Sequence, residues 1–177
     1  MEYKEYKINK DNYVKVYNLL KPISDYVDEK RSLNIYDDFN EYKSTLKRIE
    51  YINNNFNIEK DLTIYTVEDK NQVIAILMLI SNKKYILEDI KLNDISDCVM
   101  LSSFYVNKKY RGIGSNWLIN YIFEKLKKSN IKYIYVKSSH YKAFKFYERL
   151  GYKIAEYKFL SDNKMYQRLG NIYKIEL

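Results

Sequence analysis

Residues 99–128 constrain the fold of this 177-residue chain more than any other stretch. Residues 99–106 form an apolar run typical of a buried strand, and residues 117–128 repeat apolar side chains at helical spacing. The turn between them contains Gly112 and Gly114, two of only four glycines in the chain. A strand, a glycine turn and a helix in this order direct unpaired backbone N–H groups and the positive end of the helix dipole toward one spot. The stretch therefore predicts an anion site suited to a phosphate or pyrophosphate.

The glycine turn by itself leaves a second interpretation open, because a short glycine pair before a helix is also a common tight turn. It lacks the G-x-G-x-x-G pattern of a dinucleotide site and the G-x-x-x-x-G-K-[ST] pattern of a nucleotide-hydrolysing P-loop. Lys108, Lys109 and Arg111 add positive charge around the turn and favour the anion site.

The chain as a whole fits one domain over residues 1–177, because it is long enough for a proper core and poor in glycine and proline. The single cysteine, Cys98, excludes an internal disulfide and lies in an apolar strand, where packing is its expected role. The N-terminus is polar, and the longest apolar run, residues 73–80, is too short to span a bilayer. We expect a cytoplasmic protein with no membrane partner and no metal site.

The formal net charge of +8 suits an anionic partner, and it is unevenly distributed. Basic residues dominate from Lys108 to Arg149, whereas five acidic residues cluster near the start: Asp25, Asp28, Glu29, Asp37 and Asp38. A nucleic acid or one phosphate-rich small molecule would account for the basic half, and a solvated lysine surface is the alternative.

The remaining apolar patterns predict the other elements of the chain. Further strands are predicted at 3–8, 61–67, 72–80 (with 85–87 as an extension), 131–137, 152–159 and 164–177. Further helices are predicted from Asp11 to a stop at Pro22, over about 38–53, and over 140–150 with Gly151 as its cap, while 23–36 are predicted as a polar connection. The crossover over residues 99–137 makes 99–106 and 131–137 a parallel pair in an otherwise antiparallel sheet.

Residues 140–152 resemble the N-x-x-A-x-x-[FL]-Y-x-x-x-G-[FY] signature of the GNAT family of N-acetyltransferases. The residues that fall in place are Ala143, Phe146, Tyr147, Leu150, Gly151 and Tyr152. The glycine turn resembles the [QR]-x-x-G-x-[GA] pyrophosphate loop of the same family. The resemblance covers residues 60–177, and the first 60 only in helix order. It implies an α+β fold (an α/β three-layer), with a mixed, mostly antiparallel central sheet, helices on both faces and one splayed parallel strand pair.

The pyrophosphate loop admits two registers against the family pattern. Aligned from Val106, Arg111 takes the first position, Gly114 the fourth and Asn116 the sixth. Aligned from the helix, Lys109 takes the first position, and Gly112 and Gly114 take the fourth and sixth. The second signature departs at its first position, where His140 replaces the usual Asn.

The resemblance implies acetyl-CoA as the cosubstrate and an amine as the acceptor. The implied pyrophosphate-binding residues are Lys109, Arg111, Gly112, Ile113, Gly114, Ser115 and Asn116. The main chain of Phe104, Tyr105 and Val106 would pair with the pantetheine arm, and His140 and Ala143 would contact the cosubstrate. Tyr147 would protonate the departing thiolate as a general acid, and an N–H near Tyr105 or Val106 would stabilise the oxyanion.

The general base and the acceptor stay open at this stage. Many relatives carry a Glu in the strand before the loop, but residues 100–103 contain no acid here, so His140 or a water held by Ser102 or Ser103 is the candidate base. The acidic cluster at 25–38 would attract a cationic amine. The alternatives are a non-catalytic acyl-CoA-binding domain and a basic nucleic-acid-associated protein, although the chain lacks the usual nucleic-acid motifs. A homodimer is a possible assembly.

Overall fold

The computed structural model describes residues 1–33, 39–92, 95–161 and 164–177, and at positions 113–115, 117 and 118 it describes the backbone alone. Its centre is a seven-stranded sheet of order β1-β2-β3-β4-β5-β7-β6. The strands are β1 Glu2–Lys7, β2 Leu62–Asp69, β3 Gln72–Ile80, β4 Cys98–Val106, β5 Tyr133–Ser138, β6 Tyr152–Leu160 and β7 Gln167–Glu176. Every neighbouring pair is antiparallel except β4 and β5, which run parallel.

Helices cover both faces of the sheet. They are α1 Lys15–Ser32, α2 Glu41–Asn55, α3 Ile58–Asp61, α4 Lys83–Ile90, α5 Ile113–Lys128 and α6 Phe144–Glu148, with single 3₁₀ turns at Lys108–Tyr110 and Tyr141–Ala143. One core lies under α1, α2 and α4, and the other lies under α5 and α6. β3 is apolar almost throughout because both of its faces are buried. The predicted fold class is confirmed.

The prediction that Pro22 ends the first helix is wrong, because α1 continues to Ser32. Proline inside a helix costs about 3 kcal/mol through its missing N–H and its steric clash. Ile23 and Val27 continue the buried stripe of the helix beyond the proline, and burying each such side chain contributes about 1.5–3 kcal/mol. The apolar stripe therefore outweighs the helix breaker. Residues 23–33, predicted as a polar connection, are helical, and 34–38 lie outside the described residues.

The predicted strand extension at residues 85–87 is also wrong, because these residues lie in α4. The Asn82 side chain caps this helix by accepting a hydrogen bond from the Tyr85 N–H at 2.9 Å. Tyr85, Ile86 and Ile90 then bury one side of the helix against the sheet. The cap and the packing together stabilise a helix here. A three-residue apolar run in the sequence indicates neither the cap nor the packing.

Several helix boundaries differ from the predicted ones. The first helix begins at Lys15 rather than at Asp11, and α2 spans Glu41–Asn55, with Asn40 as its cap. Residues 140–150 form a 3₁₀ turn followed by the short α6 rather than one helix. Helix α5 begins at Ile113, four residues before the predicted start, so Gly114 lies inside its first turn.

Strands β4 and β5 diverge at their carboxyl ends. Their pairing runs only from Cys98 opposite Tyr133 to Leu101 opposite Val136. Beyond this point β4 pairs only with β3, and β5 continues along β7 as far as Ser138 opposite Asn171. A register shift between β3 and β4 leaves Ser102 as an extra residue, which forms a bulge where the two strands separate. The predicted splayed pair is confirmed.

Candidate active site

A cavity of about 750 Å³ occupies the gap between the diverging strand ends. Its walls come from α1, α2, β4, β5, the start of α5 and the segment around α6. This volume is in the usual range for a site that binds a small molecule or a cofactor. The topology thus places a ligand-sized opening at the one parallel step of the sheet.

Most of the predicted site residues line this cavity: Phe104, Tyr105, Val106, Arg111, Gly112, Asn116, His140, Ala143 and Tyr147. Lys109 is exposed in the turn Lys108–Tyr110 and is not part of the lining. Positions 113–115 contribute the backbone of the first turn of α5. The structure therefore brings both sequence motifs to one opening, although they lie on different elements.

The start of α5 faces the cavity through Gly112, the residue before the first helical position. Gly112 has φ +92°, and an added Cβ would meet no atom within 4 Å. Glycine is therefore needed for its conformation and not for space. The turn before it is fixed by Asn107, whose side chain accepts from the Lys109 N–H at 3.1 Å and whose carbonyl accepts from the Tyr110 N–H at 2.8 Å. The N–H groups of the first helical turn have no partner within the helix, so they can bind an anion.

Arg111 adds a cation at this end of the cavity. Its guanidinium lies 5.8 Å from the centre of the Tyr26 ring, and that ring lies 5.8 Å from the ring of Tyr105. The three side chains connect α1, β4 and the glycine turn. Helix α1 thereby forms part of the wall opposite the start of α5.

The second half of β4 presents backbone groups to the gap. Among the described residues, 103–106 pair with β3 on one side and have no strand partner on the other. In an extended strand, alternate N–H and C=O groups face opposite sides. An amide-bearing chain laid along Phe104, Tyr105 and Val106 can therefore satisfy the groups that face the gap.

Tyr147 projects from α6 into the opposite wall of the cavity, and its side chain is only 7% exposed. Its ring packs against Phe146 at 5.3 Å and against Tyr173 at 5.7 Å between ring centres. Burial and the neighbouring Tyr173 raise the pKa of the Tyr147 phenol, so the hydroxyl stays protonated at neutral pH. Gly151 allows α6 to lie close to β7, because a Cβ there would fall 2.3 Å from the Lys174 carbonyl oxygen.

Helix α2 supplies a set of polar wall residues that the sequence analysis missed. They are Glu41, Ser44, Thr45 and Arg48, all on the cavity lining. Their spacing of i, i+3, i+4 and i+7 places them on one helix face, and this pattern was the available signal. A polar helix face usually points to solvent, so this spacing alone does not predict a site. It does so only when the packing of the helix on the sheet is known.

The same helix holds the bulge of β4. Thr45 Oγ1 lies 3.0 Å from Ser103 Oγ. Arg48 Nη1 donates to the Ser102 carbonyl oxygen at 2.6 Å and lies 2.9 Å from Ser102 Oγ. Ser102 and Ser103, predicted as holders of a catalytic water, are therefore hydrogen-bonded to α2 on the floor of the cavity.

Glu41 connects α1 with the segment that precedes α6. The Lys30 ammonium contacts both carboxylate oxygens of Glu41, at 2.9 and 2.8 Å, and the Lys30 side chain is only 8% exposed. His140 Nε2 lies 3.9 Å from Glu41 Oε1, and the His140 ring also packs near Phe39. An imidazolium formed at His140 would thus face a carboxylate.

The predicted acidic cluster does not line the cavity where the structure describes it. Asp25 pairs with Lys21 at 2.7 Å, and Asp28 lies 3.9 Å from Arg31. Together with Glu29 they are exposed on α1, and none of these three lines the cavity. Asp37 and Asp38 lie outside the described residues.

The described part of the chain offers neither a membrane-spanning helix nor a metal site. Across residues 1–33, 39–92, 95–161 and 164–177, no helix is both long and apolar enough to cross a membrane. In the same ranges, no group of three or more His, Cys, Asp or Glu side chains is arranged to hold a metal ion.

Many known structures share this fold, and three acetyltransferases are representative. A probable acetyltransferase from Staphylococcus epidermidis ATCC 12228 superposes with a TM-score of 0.60 at 15% identity and 99% coverage of both chains. A ribosomal-protein-alanine N-acetyltransferase from Brucella melitensis gives 0.55 at 13% identity, covering 98% of this chain and 99% of its own. PaiA N-acetyltransferase from Thermoplasma acidophilum, in complex with coenzyme A, gives 0.50 at 14% identity and full coverage of both chains.

Sequence comparison identifies the family. No curated protein sequence matches the chain. The sequence model of the Acetyltransferase (GNAT) family matches residues 27–152, which include β4, the glycine turn, α5 and α6. Since this match covers most of the chain and every cavity-forming element from α2 to α6, the chain belongs to the GNAT family of acetyltransferases.

Proposed function

We propose that the protein is an N-acetyltransferase that moves an acetyl group from acetyl-CoA to a primary amine, on a small molecule or a peptide, by direct attack. One observation supports this most strongly: the unpaired edge of β4 and the start of α5 open onto the same cavity. Two of the neighbours are N-acetyltransferases by name, and one of these is bound to coenzyme A.

Coenzyme A would lie with its pantetheine arm along Phe104, Tyr105 and Val106 and its pyrophosphate at the first turn of α5. The amides of the arm would complete the ladder of β4, because both present N–H and C=O groups at similar spacing. The pyrophosphate would accept hydrogen bonds from the N–H groups at 113–116, with Arg111 nearby. Both registers of the glycine loop lead to these same N–H groups, so the proposal does not depend on the register.

The reaction would proceed through a tetrahedral oxyanion. The neutral amine nitrogen attacks the thioester carbonyl carbon, the C–N bond forms, and the carbonyl π electrons move to oxygen. A β4 N–H near Tyr105 or Val106 stabilises this oxygen. When the carbonyl re-forms, the C–S bond breaks and the thiolate takes its proton from the Tyr147 hydroxyl. The nitrogen loses its extra proton as it becomes an amide, and this proton restores the Tyr147 phenol directly or through water.

The attacking nitrogen must lose a proton before or during attack, because a free alkylamine has a pKa of about 10. His140 is one candidate base, since the imidazolium that it would form faces the Glu41 carboxylate at 3.9 Å. A water held at Ser102 or Ser103 is the other. Exchanging His140 for Gln separates them, because a loss of the acidic limb of the pH–rate profile is expected only if His140 is the base.

Calorimetry with acetyl-CoA, followed by thiol release over a panel of amines, tests the proposal. We expect heat from acetyl-CoA binding, no heat with duplex DNA, and turnover with at least one class of amine. Binding of acetyl-CoA without turnover on any amine would indicate a non-catalytic acyl-CoA-binding domain. Binding of DNA alone would indicate a nucleic-acid-associated protein.

A further inference from the structure

Arg48 has a position in the cavity that coenzyme A binding does not explain. Its guanidinium hydrogen-bonds the Ser102 carbonyl and lies within reach of the Ser102 hydroxyl, and it also hydrogen-bonds the Tyr85 phenol. All three partners are neutral. Among the described residues, no carboxylate lies within ion-pair distance of this side chain. The cavity wall therefore contains a positive charge without a counter-ion.

Asp89 is the carboxylate that acts on the same phenols as Arg48, and it already has a cation. Arg48 and Asp89 act on the same two phenols: burial raises the pKa of Tyr85 and of Tyr157 to about 12, Arg48 lowers both pKa values, and Asp89 raises them. Asp89 Oδ1, however, accepts from the Lys137 ammonium at 2.9 Å, and the Asp89 carbonyl accepts from it at 2.8 Å. Lys137 thus balances Asp89, and Arg48 stays unbalanced.

The location of Arg48 excludes the phosphates of coenzyme A as its partners in the proposed complex. Ser102 lies four residues before Val106 along β4, which corresponds to about 13 Å at the rise of an extended strand. The proposed pyrophosphate lies beyond Val106, next to α5, where Arg111 supplies the cation. Arg48 instead borders the strand position where the thioester end of the coenzyme would lie, and this end is uncharged.

We infer that the acceptor is an amino carboxylate, such as a free amino acid, and that Arg48 binds its carboxylate beside the reacting thioester. This inference rests on the proposed function and narrows its acceptor. A planar guanidinium with free N–H donors binds a carboxylate through two parallel hydrogen bonds and thereby fixes the direction of the neighbouring amine. The same charge opposes a polyamine. Asp25, Asp28 and Glu29 of the predicted acidic cluster do not line the cavity, and Glu41, which does, is paired with Lys30.

Matched pairs of acceptors test the inference in the intact protein. Each pair is an amino acid and the amine that it yields on decarboxylation: phenylalanine with phenethylamine, leucine with isoamylamine, and lysine with cadaverine. Thiol release from acetyl-CoA gives kcat/KM for both members. A charge-assisted hydrogen bond between Arg48 and the carboxylate should make kcat/KM about tenfold to a hundredfold higher for the amino acid than for the amine in at least one pair.

Variants of Arg48 separate carboxylate binding from support of the β4 bulge. Arg48→Gln should reduce the ratio of kcat/KM between the amino acid and the amine to about one. Arg48→Lys should keep part of this preference through charge alone. Lys47→Gln is the matched control, because it removes a charge from the next, exposed position of α2 and should keep the preference. Circular dichroism checks that each variant folds. If Arg48→Gln does not fold, the test uses Arg48→Lys instead.

Four outcomes would overturn the inference. The first is an equal kcat/KM for both members of every pair in the wild type. The second is turnover only of amines that have no carboxylate. An equal loss for both members in Arg48→Gln would assign Arg48 to the bulge alone. If acetyl-CoA binds but no amino carboxylate reacts, the inference fails and the coenzyme site stands, whereas a failure to bind acetyl-CoA would overturn the proposed function itself.

Discussion

The two ends of the cavity are built in different ways. The proposed coenzyme end consists of residues 104–116, a continuous segment that offers mainly backbone groups of β4 and of the first turn of α5. The proposed acceptor end is lined by side chains from α2 and β5, among them Glu41, Arg48 and Lys137. Arg48 and Lys137 in turn contact residues of α4 and β6, namely Tyr85, Asp89 and Tyr157. One end follows from local backbone geometry, and the other exists only after distant elements have packed. In the proposed function, the first end therefore defines the class of reaction, and the second selects the acceptor.

Tyr147→Phe tests the point where the two ends meet and should have the largest effect. The ring contacts with Phe146 and Tyr173 remain, so only the proton donor is lost. We expect kcat to fall about 10²- to 10⁴-fold, as for the loss of a general acid. Thiol release and calorimetry are the measurements, and the Kd for coenzyme A should change little. A parallel loss of affinity and rate would contradict this role.

Gly112→Ala tests whether backbone geometry dominates the coenzyme end. An alanine at φ +92° is strained by about 1–3 kcal/mol and should shift the start of α5. We expect the Kd for coenzyme A to rise about tenfold, with an unchanged KM for the acceptor. Lys109→Ala is the control, because this side chain is exposed and lies off the cavity lining. An equally large effect in the control would mean that side chains matter there as much as backbone.

Glu41→Gln should affect the acceptor end and leave the coenzyme end unchanged. The amide keeps the shape of the side chain but removes the charge that holds the nearly buried Lys30. We expect the free energy of unfolding to fall by about 1–2 kcal/mol and the KM of the acceptor to rise about fivefold. Urea denaturation and steady-state kinetics measure the two effects. Glu50→Gln, at an exposed position of the same helix, is the control.

Tyr157→Phe should have the smallest effect, visible only at alkaline pH. Burial raises the pKa of Tyr157 to about 12 in the folded protein, against about 10 in the unfolded chain. Between these values the unfolded state binds fewer protons, so the free energy of unfolding falls as the pH rises, by up to about 1.4 kcal/mol per pH unit for this group. The variant should show a shallower fall between pH 10 and 12 in urea titrations. Tyr141→Phe, which is exposed, should match the wild type.

The same contrast explains what the sequence could predict. The strand, glycine turn and helix over 99–128 and the motif at 140–152 are local patterns. They predicted the parallel pair and most of the residues that line one part of the cavity. Arg48 and Ser102 are 54 residues apart, and no local pattern connects them. The errors at Pro22 and at residues 85–87 have a related cause. A local rule for helix breaking or strand formation was overruled by burial against the sheet and by the Asn82 cap.

The bulge at Ser102 and the separation of β4 from β5 also bear on association between molecules. An unpaired strand edge usually invites pairing with another chain and leads to aggregation. Here the edge lies in the middle of the sheet, with β5 across the gap, α1 and α2 on one face and α6 on the other. A strand of a second molecule would therefore have to displace packed helices before it could pair with this edge. The surrounding elements thus shield the open hydrogen-bonding groups of β4 from pairing between molecules.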